Sequence, residues 1–492
     1  MFVAFLPMAE SNKNSQFQIV SFVMGPALFA ACLIFIPHDF ISPGAYRVIG
    51  VAAWMITWWV TEAVPIPITA MLPLVLFPFL GVMKMSEAAS PYANPIIFLF
   101  MGGFLIAMAL EKHRLHERIA LNIIRITGTS GNGIILGFML ATGFLSMWIS
   151  NTATAMMMLP IAMSVINLLK APGENVRTKG ERNFALGLML MVGYAASLGG
   201  LATIIGTPPN AVFAGLLDEF YGTKLQFGKW MLVGVPVAIT LLLSTHLIIT
   251  RILFPNGLRQ VHGSEQLITE KLRDLGPLRT GEKRVLIIFV LTSLCWILQQ
   301  PLNLLVGRDM LNDTNIAMSG GMLMFIVPVN LRQMEFLLDW KDTAKLSWGI
   351  LFLFGGGLCL AEGLENAGII QLLGKWIAGQ SSFGGWLVFV LILSGVLLSE
   401  VMSNVALVQI FVPVVFGIAD GLGVNPVLLA MPVTLSASIG FMFPIATPPN
   451  AIVFSSGYIR MKDMVRAGVL LDLASIAIIL LASLTLVNWV YG

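Results

Sequence analysis

Residues 131–168 form an almost unbroken apolar run of 38 residues, and no single membrane helix can use all of it. A hydrocarbon core about 30 Å thick takes about 20 helical residues to cross, whereas 38 residues at about 1.5 Å each would reach about 57 Å. The run must fold back or cross twice. Within it, 145–160 reads L-S-M-W-I-S-N-T-A-T-A-M-M-M-L-P, with Ser150, Asn151 and Thr152 as a small polar cluster. A second overlong run, 383–418, contains 398–413, L-S-E-V-M-S-N-V-A-L-V-Q-I-F-V-P. Ser146, Ser150, Asn151 and Pro160 return there as Ser399, Ser403, Asn404 and Pro413, each 253 positions later.

The chain as a whole is also strongly apolar. With 57 % hydrophobic and 11 % charged residues and a mean hydropathy of +0.88, it holds more apolar side chain than a soluble core absorbs. The expectation is an all-α polytopic membrane protein. Spans fit near 18–36, 46–64, 66–82, 94–111, 185–217, 229–253, 285–300, 315–330, 347–371, 425–458 and 466–490, giving about 11 transmembrane helices plus two re-entrant helical hairpins. Residues 113–125 set Leu115, Ile119, Ile123 and Ile124 at helical spacing against basic residues, which suggests a helix lying in the membrane interface.

The hairpin reading rests on the polar tips. Two full crossings would leave Ser-Asn-Thr in an ordinary loop, with no need for tight apolar flanks; irregular backbone at membrane depth is tolerated where it is buried or lines a cavity. With hairpins at 131–168 and 383–418 and a cytoplasmic N-terminus, 22 of the 28 basic residues fall on the inside, and the C-terminus is external. Two double crossings would give the same sidedness, so charge does not separate the two arrangements.

Five crossings lie between the overlong runs, so the second hairpin opens to the opposite side from the first and the repeats are inverted. F-L-F-M-G-G-F at 98–104 pairs with F-L-F-G-G-G-L at 352–358, Glu111 with Glu365, and T-P-P-N-A at 207–211 with 447–451. The expected organisation is a tail and first helix at 1–45, repeat one at 46–255 with a broken helix at 185–217, a cytoplasmic linker at 256–282, and repeat two at 283–492 with a broken helix at 425–458. Inverted repeats with broken helices are a secondary-transporter architecture, with the site at the repeat interface.

Thr-Pro-Pro-Asn has a physical reading of its own. Thr207 and Thr447 can cap half-helices whose first positions are prolines, where a missing N–H costs nothing. The positive half-helix ends, with donors from the tips, suit carboxylate oxygens, while freed carbonyls, Ser146, Ser150, Ser399 and the asparagine oxygens suit a small cation. No lysine or arginine lies in these four motifs. Bound cations are the simplest offset for desolvating a dianion there, which points to Na⁺ as coupling ion. Glu62, Glu111, Glu362, Glu365 and Glu400 lie in or beside apolar segments; Glu400, whose repeat counterpart is Met147, either tunes a cation site, relays a proton, or is hydrogen-bonded at a packing contact.

Together with W-W-V-T-E-A-V-P-I-P at 58–67, these paired motifs resemble the divalent anion:sodium symporter family, which includes the bacterial INDY-type dicarboxylate transporters, and the resemblance covers nearly the whole chain. It implies a homodimer with a scaffold domain and a mobile domain, working by an elevator mechanism in the bacterial inner membrane. It assigns one sodium site to Ser146, Ser150, Asn151 and Gly199 and another to Ser399, Met402, Asn404 and Ala446. Substrate contacts would come from Asn151, Thr152, Asn404, Thr447 and Pro448. The chain departs from the family pattern at Val405, where threonine is usual, and so lacks one hydroxyl at the second tip.

The expected function is Na⁺-coupled symport of C4 dicarboxylates such as succinate, fumarate or malate. The alternatives are a sodium-independent dicarboxylate exchanger, a citrate or sulfate carrier, and, in a different class, an anion channel. Two gated hairpins argue against a continuous pore. An enzyme lacks any nucleophile and base pair or metal set; the five histidines form no H-E-x-x-H, and Cys32, Cys295 and Cys359 sit singly in apolar runs. The basic residues form no single patch, so no nucleic-acid partner is expected.

Overall fold

The computed structural model describes all residues except 1–10, 38–41, 43, 170–177, 309 and 373–385. Part of the N-terminal tail, the basic residues Lys170, Arg177 and Lys375, and the expected start of the second hairpin at 383 lie outside the described residues. The described residues are mostly helical, with one short strand pair among them, Pro328–Asn330 with Glu335–Phe336. Seven described helices are long and apolar enough to cross a membrane, or eight if Thr280–Ile297 and Gln299–Val306, bent by 77°, form one span. Among the shorter apolar helices, Gly131–Ser146 and Leu387–Ser399 lie in the expected hairpins and Pro426–Ser436 in the expected span 425–458.

The chain divides into two compact units. The first comprises 1–94, 348–381 and 409–423. Its helices α1 (Ser11–Phe35) and α2 (Ala45–Thr61) pack through small residues, Gly25 against Trp54 and Trp58, and Gly50 against Phe29. Tyr92 donates to the Ala70 carbonyl at 2.6 Å, satisfying a polar atom that burial would otherwise leave unpaired.

The second unit comprises 95–347, 382–408 and 424–492 and holds both Ser-Asn pairs and both Thr-Pro-Pro-Asn motifs. Here α3 (Pro95–Lys112) packs on a later helix, Asp313–Ile326, where Gly102 meets the Ala317 backbone. Helix α4 (Leu115–Ile126) buries Leu115, His116, Ala120, Leu121 and Ile124, while Ile119 and Ile123 are half-buried. It packs on α5 (Gly131–Ser146), because Gly137 lets Ile124 and Thr127 approach closely. Its Arg118 pairs with the buried Glu282 at 2.8 Å.

Both overlong runs are broken inside their motifs. The first is α5, then 147–150, then α6 (Asn151–Asn167). Sixteen residues in α5 rise about 24 Å, short of the bilayer core. Both α5 and α6 pack on α7 (Lys179–Gly200), and the end of α7 meets α5 glycine to glycine, Gly199 on Gly143. After a non-helical stretch at 201–207 the chain resumes as α8 (Pro208–Tyr221). The second run is α9 (Leu387–Ser399), the stretch 400–403, and α10 (Asn404–Leu422). Helix α11 (Pro426–Ser436) is then followed by irregular 437–447 and α12 (Pro448–Phe454).

Candidate functional site

The first polar cluster is an assembly of oxygens. Ser146 Oγ, at the end of α5, lies 2.6 Å from Asn151 Oδ1 and 2.6 Å from the Ala196 carbonyl of α7. Asn151 Oδ1 also lies 3.0 Å from that carbonyl and 3.2 Å from the carbonyl of Gly206, at the break between α7 and α8. With Oδ1 of Asn151 turned inward, four oxygens converge with one hydroxyl proton among them. Two arrangements relieve this: the Asn151 amide turned so that the two protons of Nδ2 are shared among its three neighbours, or a small cation drawn to the oxygens. The oxygen-only donor set is hard and uncharged, which fits Na⁺ and not a soft metal.

The second cluster repeats the first in part. Ser399, at the end of α9, donates to Asn404 Oδ1 at 3.2 Å, as Ser146 does to Asn151. A Cβ at Gly440 would lie 3.0 Å from Ser399 Oγ and 3.1 Å from the Ala446 side chain, so Gly440, Ser399 and Ala446 meet closely. Gly200, the counterpart of Gly440 by the 240-residue offset, is likewise packed against Asn151 and Gly206. Only glycine permits both approaches.

The structure thus joins Ser146 with Asn151, and Ser399 with Asn404 and Ala446. Ser150 caps α6, accepting from Ala153 N at 3.3 Å, and Gly199 is packed into α5. Gly206, the residue before Thr-Pro-Pro-Asn, faces Asn151, and its counterpart by offset is Ala446. Reading both copies of T-P-P-N back by one residue would have found it; Ala196 carries no such signal, because it contributes a backbone carbonyl. Thr152 is half-buried in the first turn of α6, Met402 lies half-buried in the second tip, and Pro448 is exposed at the start of α12. Thr447 caps α12, accepting from Asn450 N at 3.3 Å, whereas Thr207 makes no side-chain cap.

The two halves differ in exposure. Ile445 in the second break is 84 % exposed and its counterpart Ile205 is 8 % exposed. Trp148 in the first tip is clamped by Phe227 and Trp296 rings at 6.3 and 6.5 Å, while its counterpart Val401 is exposed.

Glu400 is explained by geometry. Its carboxylate accepts from the backbone N–H groups of Phe441, Met442 and Phe443 at 2.7, 2.9 and 3.2 Å. These amides have no helical partner beyond the end of α11, so the side chain ties the second tip to the second break. In the first half Thr203 performs that tie from the other side, donating to the Met147 carbonyl at 2.6 Å. Glu400→Gln exchanges an acceptor oxygen for an NH₂ facing amide donors. It is expected to destabilise the break by about 1–3 kcal/mol, seen as a lower melting temperature; an unchanged melting temperature would mean that water replaces the carboxylate.

Comparison with known proteins agrees with the motifs. Residues 18–491 match the family model described as the sodium:sulfate symporter transmembrane region. The chain is 39 % identical to the sodium-dependent dicarboxylate transporter SdcS of Staphylococcus saprophyticus, over 100 % of this chain and 96 % of that protein. It is also 39 % identical to SdcS of Staphylococcus aureus strain USA300, over 96 % and 92 %. Among solved structures, it resembles the Alcanivorax borkumensis YdaH transporter (TM-score 0.51, 14 % identity, 97 % of both chains). Neisseria gonorrhoeae MtrF is similar in fold (TM-score 0.53, 13 % identity, 97 % and 96 %). With its paired Ser-Asn and Thr-Pro-Pro-Asn motifs and a family match from residue 18 to residue 491, the chain belongs to the sodium:sulfate symporter family of membrane transporters, the divalent anion:sodium symporters, and is not an enzyme.

Proposed function

We propose that the protein is a secondary transporter that carries C4 dicarboxylates such as succinate, fumarate or malate together with Na⁺. The observation that carries this reading is the convergence of Ser146 Oγ, the Asn151 amide and the Ala196 and Gly206 carbonyls at the break between α7 and α8. The SdcS relatives, named as sodium-dependent dicarboxylate transporters, support it. Ser146, Ser150, Asn151, Gly199, Ala196 and Gly206 would serve one Na⁺, and Ser399, Met402, Asn404 and Ala446 another. Bound Na⁺ supplies the positive charge that the neutral donors lack. Asn151, Thr152, Asn404, Thr447 and Pro448 would then meet the carboxylates, aided by the positive ends of α8 and α12.

The working architecture in this reading has about 11 transmembrane helices and two opposed hairpins in inverted repeats. It is a homodimer in the bacterial inner membrane, N-terminus inside and C-terminus outside, with elevator-type exchange of the site between faces. Short helix pairs broken within their polar motifs support the hairpins. The test is radiolabelled succinate uptake by proteoliposomes with and without an inward Na⁺ gradient. Gradient-driven accumulation, competed by fumarate and malate, is expected. Uptake indifferent to Na⁺ would replace the reading with a sodium-independent exchanger, and stronger competition by sulfate or citrate would change the substrate class.

A further inference from the structure

Both helix breaks are braced by a side chain that the sodium and substrate assignments leave unused. Asn210, in the first turn of α8, is fully buried and its Nδ2 donates to the carbonyls of Gly200 at 3.2 Å and Thr203 at 2.8 Å. Asn450, in the first turn of α12, is also fully buried and its Nδ2 donates to the carbonyls of Gly440 at 2.8 Å and Phe443 at 3.2 Å. The donors and all four acceptors correspond by the 240-residue offset. One amide therefore closes the irregular segment in each half, satisfying two carbonyls that the break deprives of helical partners.

The braced residues lie against the oxygen clusters. A Cβ on Gly200 would collide with Asn151 Oδ1 and come 3.0 Å from the Gly206 carbonyl; one on Gly440 would press on Ser399 and Ala446. Between the braced carbonyl of Thr203 and the start of α8 only Ile204, Ile205, Gly206 and Thr207 remain, so the brace leaves Gly206 little freedom in where its carbonyl points. A helix cap alone does not account for this, because the donated bonds run backward into the break and not to the helix's own amides. Nor does the Oδ1 of either asparagine find a partner, so the buried amide is retained for its two donors.

We propose that Asn210 and Asn450 are positioning residues, each holding its break in the shape that presents backbone oxygens to the cation cluster of its own half. This rests on the Na⁺-coupled reading above only for its functional consequence. The substitutions are Asn210→Leu and Asn450→Leu, which keep the branched side-chain shape and remove the donors, with Asn→Ser at each position as a smaller variant should the larger leucine prevent folding. Amide hydrogen exchange in the purified full-length protein is expected to rise at 201–207 in the first variant and at 437–447 in the second, each leaving the other break unchanged. The Na⁺ concentration for half-maximal succinate binding is expected to rise roughly tenfold or more, as two buried hydrogen bonds are lost. Succinate affinity at saturating Na⁺ should change by less.

Unchanged exchange at the matching break overturns the brace. Raised exchange with an unchanged half-saturating Na⁺ concentration overturns the positioning role and leaves a structural bond. If wild-type protein binds succinate without Na⁺, the coupled reading fails instead, and the exchange arm still decides whether the braces exist.

Discussion

Asn151→Ala and Asn404→Ala are each expected to reduce Na⁺-driven succinate uptake by about a hundredfold or more, with the purified proteins still folded. In the first half, Asn151 is the shared neighbour of Ser146 Oγ, the Ala196 carbonyl and the Gly206 carbonyl. Removing its amide leaves oxygens with no common partner, and each unsatisfied buried polar group costs about 1–3 kcal/mol. Asn404 repeats the contact with the preceding serine, Ser399, and heads α10 as Asn151 heads α6. Both are half-buried at helix starts, and neither anchors a hydrophobic core, so the folded chain should survive. Uptake in proteoliposomes decides the matter against size-exclusion and melting controls. Near-normal uptake by either variant would remove that tip from the site.

Replacing Na⁺ by choline is expected to weaken succinate binding by at least roughly tenfold, within the usual range of ligand coupling. A dianion enters a place without lysine or arginine in its four motifs, and each helix end contributes only about half a unit charge. Linkage then requires succinate to tighten Na⁺ by the same factor, which two titrations on one preparation can compare. Ser399→Ala should raise the half-saturating Na⁺ concentration more than it changes succinate affinity at saturating Na⁺. Ser150→Ala should do so too, with a stability cost of about 1 kcal/mol added, because Ser150 also caps α6. If more than two Na⁺ accompany each dianion, transport moves net charge and will respond to membrane potential. Equal succinate affinity in choline and Na⁺ would assign the chain to sodium-independent exchange.

Much of this was legible from the order of residues. An apolar run too long for one crossing, with Ser-Asn-Thr in its middle, has to break near that tripeptide, and α5 and α6 are separated at 147–150. Thr-Pro-Pro-Asn starts a helix after a break in both copies, because the prolines take positions where a missing N–H costs nothing. Family membership followed from the same motifs. Helix ends were less legible: α7 begins at Lys179, not near 185, because a Thr178–Glu181 capping box starts it in polar sequence that hydropathy discounts.

What the sequence determined by itself, then, is the set of side chains and the places where helices must stop, since both follow from local chemistry and from length against bilayer thickness. Tertiary structure alone decided which backbone oxygens face Asn151 and what Glu400 does. A carbonyl such as that of Ala196 or Gly206 has no residue type to announce it; only the fold-back of α7 against α5 brings it within 3.2 Å of the amide. That Glu400 takes up three partnerless amides was invisible until the chain, some forty residues on, returned them to its carboxylate.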